Sequence, residues 1–117
     1  MAYGFNENKT KSKNIEIVNF AARTTGTVAA NSEGTLAGND AAKERITELI
    51  NAGYTLIATS RVYHLTTGLV LCSIDLGNSA SAPSEYNVYV TWRNVTNSAK
   101  TVNYGGVGLT FAKFPEE

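Results

Sequence analysis

The chain has 117 residues, ten Lys and Arg against ten Asp and Glu, and a hydrophobic fraction of 43%. That is enough for one domain with a core of its own, without metals or disulfides. Balanced charge argues against a nucleic-acid binder working by counterion release and leaves no polybasic segment for an anionic membrane. The single cysteine, Cys72, excludes an intrachain disulfide. Residues 1–14 lack the apolar stretch of a signal peptide, and no apolar run approaches a bilayer span.

Residues 1–13 are polar apart from Met1, Ala2, Tyr3 and Phe5, and carry Lys9, Lys11 and Lys13. So little apolar surface does not offset the cost of ordering the backbone, and the segment reads as a flexible arm. Tyr3 and Phe5 are the exceptions, two aromatics suited to anchoring the arm on a partner.

From residue 14 to 117 the pattern is that of one β-rich domain. Ile15–Phe20 reads as a strand, with Ile15 and Ile17 on one face and Val18 and Phe20 on the other. A second short strand is expected over Thr25–Ala29, and Asn31–Gly34 reads as a turn. One helix is expected at about 40–52. Asp40 is its expected N-cap, Ala42, Ile46, Leu49 and Ile50 share a face, and Gly53 stops it.

Beyond the helix every pattern is β. Tyr54–Leu65 alternates. Leu69–Leu76 is nearly all apolar, as in a strand covered on both faces. Residues 77–84 read as a small-residue loop. Tyr86–Thr96 is the clearest strand, with Val88, Val90 and Trp92 on one side and Asn87, Tyr89, Thr91 and Arg93 on the other. Asn97-Ser98 makes a turn to a strand carrying Val102 and Tyr104, which Gly105-Gly106 interrupts before Val107, Leu109 and Phe111 resume the alternation. Most connections are too short for parallel crossovers, so the expected architecture is an antiparallel β-sandwich whose single helix covers one end or one open edge.

Catalytic constellations are not legible. His64 is the only histidine, so a His-rich metal site is impossible. A Cys-His pair with Cys72 would need the two strands around 66–68 to bring them together, whereas Leu-Cys-Ser-Ile reads as core. The carboxylates Glu33, Asp40, Glu44, Glu48, Asp75 and Glu85 are scattered. Gly105-Gly106-Val107-Gly108 invites a phosphate-loop reading, but no helix follows it. Asn94-Val95-Thr96 fits the glycosylation pattern without a secretion signal. The reading is of a non-catalytic protein with no cofactor. Trp92, Tyr89 and Phe111 are its candidate core or subunit-interface residues.

The second half resembles small modules of bacteriophage virion appendages, of the head-fibre and tail-fibre kind, from phages of Gram-positive bacteria. The resemblance is carried by Ala-Gly-Tyr-Thr-Leu-Ile-Ala at 52–58, Thr-Thr-Gly-Leu-Val at 66–70 and Val-Tyr-Val-Thr-Trp-Arg-Asn-Val-Thr-Asn-Ser-Ala-Lys-Thr-Val at 88–102, followed by a closing strand at 109–114. The opening Met-Ala-Tyr-Gly-Phe-Asn is similar to the starts of short phage structural proteins. The resemblance implies a virion β-sandwich, made in the bacterial cytoplasm, homo-oligomeric with a trimer favoured. Its role would be head fibre, decoration or tail-fibre-like part. The arm would hold other virion proteins and the sandwich could meet a host-surface glycan. A monomeric carbohydrate- or protein-binding module is the alternative, with a phage-encoded inhibitor of a host protein behind it. No partner in nucleic acid or membrane is expected.

Overall fold

The computed structural model describes residues 7–11, 15–61, 66–79 and 81–114. Among these residues seven strands and one helix follow in the order β1 (Glu7–Lys11), β2 (Glu16–Val28), β3 (Glu33–Ala37), α1 (Asp40–Asn51), β4 (Thr55–Arg61), β5 (Leu69–Ser79), β6 (Ala82–Asn94) and β7 (Lys100–Lys113). They form two antiparallel sheets, one of four strands in the order β1-β2-β7-β4 and one of three in the order β3-β6-β5. The sheets face each other across a core of Val18, Phe20, Ala22, Val28, Val88, Val90, Trp92, Val102, Val107, Leu109 and Phe111, joined by Ala42, Ile46 and Leu49 of the helix. This is the expected β-sandwich with one helix.

The alternation on β2 and β6 sets that core. Val18, Phe20, Ala22 and Thr24 are buried while the residues between them are exposed, and on β6 Val88, Val90, Trp92 and Asn94 are buried in alternation with half-buried Tyr89 and Thr91 and exposed Arg93. Bulges explain where simple alternation fails. On β7 the register against β2 shifts between Thr24 and Gly26, so the inward set changes from Val102 to Val107, Leu109 and Phe111. On β5 it shifts at Cys72, between Leu71 and Ser73.

That second shift corrects the reading of β5. Leu69 and Leu71 point inward before the bulge and Ile74 and Leu76 after it. A run that looks covered on both faces therefore has Val70, Cys72 and Asp75 exposed on the other. Strands also occupy much of the expected loop at 77–84, since β5 extends to Ser79 and β6 begins at Ala82. Likewise the two strands expected over 15–29 are one, β2. The turn that follows falls on Ala30-Asn31, with Asn31 at φ 53°, so Glu33 and Gly34 belong to β3.

The helix is bounded as its sequence demands, with one substitution of roles. Asn39, not Asp40, is the N-cap: its Oδ1 accepts from the Ala42 amide at 2.9 Å. Asp40 is the first helical residue, where its charge suits the positive end of the helix. At the other end Gly53 adopts φ +93°. Its N–H bonds the Ile50 carbonyl and that of Tyr54 bonds the Leu49 carbonyl, a Schellman stop.

Glu7–Lys11, inside the segment read as an arm, are strand β1, paired with Glu16–Phe20. No apolar pattern announces it, because what holds it is backbone pairing and a two-pronged bond from Arg45 to Glu7, at 2.8 and 2.7 Å. Tyr3 and Phe5 lie outside the described residues.

Candidate functional site: a locked three-loop tip and an open flank

At one end of the sandwich three connections converge: residues 29–32 between β2 and β3, residues 66–68 ahead of β5, and residues 95–99 between β6 and β7. Backbone bonds tie them together. The Asn31 amide donates to Thr96 O at 2.9 Å, the Asn94 amide to Ser32 O at 2.8 Å, and the Val95 amide to Gly68 O at 3.0 Å. Thr66 adds a hydroxyl bond to Thr101 O at 2.7 Å.

Asn94 is the hub. Its side chain is fully buried, and Nδ2 donates to Val28 O at 3.0 Å and to Ser98 O at 2.9 Å. Its Oδ1 accepts from the Thr96 amide at 2.9 Å, and the Thr96 hydroxyl lies 2.7 Å from the same oxygen. A buried amide satisfied on both ends fixes the loops at low cost in entropy on binding. The surface so fixed is small, polar and uncharged, exposing Asn31, Thr67, Asn97 and Ser98 beside Val95 at 58%. Asn94-Val95-Thr96 is thus a turn motif whose asparagine is buried and fully bonded. Its signal in the sequence is an Asn at the end of a strand, two residues ahead of a threonine.

The two sides of the sandwich are finished differently. One is closed by β1 and by α1. There Arg45 joins Glu7 and Glu48, and the Tyr54 hydroxyl donates to Glu16 at 2.9 Å. Burial, then the Glu16 carboxylate, push the Tyr54 phenol above its usual range. Among the described residues the other side ends on the edges of β4 and β5, with Leu56, Leu71, Ile74 and Leu76 half-buried between them.

The expected interface residues separate. Trp92 and Phe111 are wholly buried in the protomer's own core, Phe111 stacked on Phe20 with centroids 6.0 Å apart. Tyr89 points the other way, half-buried on the outer face of β6 with its ring against Gly77. Cys72 is exposed at its bulge rather than in the core, and His64 lies outside the described residues. Gly105–Gly108 lie within β7, paired with Ala21–Thr24. Asp40, Glu44, Glu48 and Glu85 do gather, around Lys43 on the open surface of the helix, where Lys43 meets Glu85 at 3.6 Å. Among the described residues no group of His, Cys, Asp and Glu could hold a metal ion. No described helix is long and apolar enough to cross a membrane. No family model, no curated protein and no solved structure matches the chain.

Proposed function

We propose that this chain is a non-catalytic structural module of a bacteriophage virion, a head-fibre, decoration or tail-fibre-like part that presents its sandwich outward. The observation that carries this reading is the three-loop tip. A buried asparagine holds three connections in one arrangement and leaves them a polar surface, the construction expected of a part that meets something at its end. The resemblance of residues 52–58, 66–70 and 88–102 to virion appendages supplies the context. In that context Tyr3 and Phe5 anchor the chain on other virion proteins, copies of the chain associate, and the tip faces a host-surface glycan.

The test is to purify particles from a strain that carries this gene and probe them for the chain. A fixed copy number in the particle fraction is expected, and its loss when Tyr3 and Phe5 are both changed to serine. Absence from particles sinks the reading. If the purified chain instead binds host cell walls as a monomer, the tip belongs to a free-standing carbohydrate- or protein-binding module.

A further inference from the structure

Among the described strands β1 alone brings no apolar side chain to the sandwich: its five residues are Glu7, Asn8, Lys9, Thr10 and Lys11. Even the equally short β3 sets Leu36 against the core. β1 therefore gains nothing from the hydrophobic burial that holds the other strands. Its ladder to Glu16–Phe20 supplies backbone hydrogen bonds whose net worth roughly offsets the entropy of ordering the residues that make them. The balance is tipped from α1.

Glu7 stands opposite Phe20, and Arg45 of α1 grips it with two bonds, Nε to Oε2 at 2.8 Å and Nη2 to Oε1 at 2.7 Å. The two side chains are only 18% and 22% exposed, so this pair counts for more than a salt bridge in open water. Asn8 and Lys9, next along the strand, are exposed. Arg45 has a second carboxylate within reach: its Nη1 donates to Glu48 Oε1 at 3.2 Å. If Glu7 leaves, the guanidinium keeps Glu48 and its charge is not stranded.

We propose that β1 is a releasable strap, which unzips from β2 as a unit while the sandwich stays folded, with the Glu7–Arg45 pair as the latch that sets how often it opens. Opening uncovers no core residue of β1, because there is none, and so it is separable from global unfolding. It leaves Arg45 on the helix with Glu48, so closing again needs no rearrangement of α1. The latch is ionic and half-open to water, so salt loosens it. Five released residues span about 17 Å, which is the added reach that opening gives to the chain ahead of Glu7. In the proposed virion part that reach serves Tyr3 and Phe5, and the strap governs how far the anchor extends. This use rests on the proposed function; the strap itself does not.

The test is amide exchange on the whole chain, read strand by strand, in low and high sodium chloride, for the wild type and Glu7→Gln. Wild-type β1 amides should exchange well ahead of those in β6, at a rate that low urea leaves unchanged. Glu7→Gln should speed β1 about tenfold and leave β6 and β7 as they were. High salt should speed β1 in the wild type and do little in Glu7→Gln. The salt series on the wild type needs no variant. β1 amides that exchange in step with β6, a Glu7→Gln strap as protected as the wild type, or salt that acts equally on both proteins each overturn the proposal. A chain found in particles whose β1 exchanges with the core loses the strap and keeps the virion reading. A latched strap in a chain absent from particles does the reverse.

Discussion

The hydroxyl of Thr47, midway along α1, accepts the amide proton of Tyr86 at 2.9 Å and donates to the carbonyl of the same residue at 3.1 Å. One side chain thus serves both backbone groups that a neighbouring strand would have paired. β3 ends its ladder at Ala37 opposite Tyr89, and Gly38 and Asn87 carry the edge one step further. Beyond that the helix takes over, and Thr47 makes it a substitute for the missing strand. Thr47→Val keeps the shape and leaves both Tyr86 groups unpaired, which should cost about 2 kcal/mol. Thr47→Ser should recover most of it. Urea unfolding midpoints of the three proteins measure this.

Asn94→Ala removes four hydrogen-bonding contacts and takes a donor from the carbonyls of Val28 and Ser98 at the tip, leaving Ser98 only the Thr96 hydroxyl at 2.9 Å. The expected loss is about 3 kcal/mol. Asn94→Asp should do no better, because it sets an acceptor against those two carbonyls. The signature that separates this from general weakening is local. Amide exchange at Asn31 and Val95, which donate to Thr96 O and Gly68 O, should accelerate more than exchange in β7.

How much of this could be read beforehand depends on the kind of force involved. Apolar periodicity located the faces of β2, β6 and α1, because burial of Val18, Phe20, Trp92 and Leu49 is written into residue spacing. It failed at β5, where the bulge at Cys72 exchanges the two faces within one apolar run. It failed again at β1, whose polar sequence is held by pairing and by Arg45, 38 positions from Glu7 in the chain. The tip was hidden for the same reason. Asn94 looks like a glycosylation signal or one more strand residue until Val28 and Ser98 are brought beside it. Thr47 looks like any helix threonine until β3 is seen to stop short of Tyr86.

Trp92 is fully buried between the sheets, opposite Gly34 and Leu71 on the neighbouring strands. Trp92→Ala should destabilise by about 3–5 kcal/mol through lost transfer energy and the cavity left behind. Thermal unfolding of the variant is the check. A near-neutral result would mean the sheets close around the vacancy.

Thr24 gives an opposite expectation at a neighbouring depth. Its side chain is buried on the inner face of β2, and Oγ1 has no hydrogen-bond partner among the described residues. Replacing the hydroxyl by a methyl of the same shape removes a desolvated polar atom and raises strand propensity. Thr24→Val should therefore stabilise by about 1 kcal/mol in urea unfolding. A loss of that size would point to a buried water bonded to the hydroxyl.

Tyr54 links the end of the helix to β2 through Glu16, and Lys113 lies over its ring at 6.0 Å. Its phenol is raised above the usual 10.0 by burial first and by the Glu16 carboxylate second, so the folded chain favours the neutral form. Its contribution to stability is complete below the unfolded value near 10.0 and is lost as pH rises through the higher folded value. Ionisation removes the proton shared with Glu16 and sets phenolate against carboxylate. Subtracting the ultraviolet titration of Tyr54→Phe from that of the wild type isolates this one phenol, which should titrate above the ordinary range. Glu16→Gln should bring its midpoint down, since it removes the second cause and leaves the first. A midpoint at the ordinary value in the wild type would show that water reaches the ring, and the fall in stability above pH 10 would then belong to other groups.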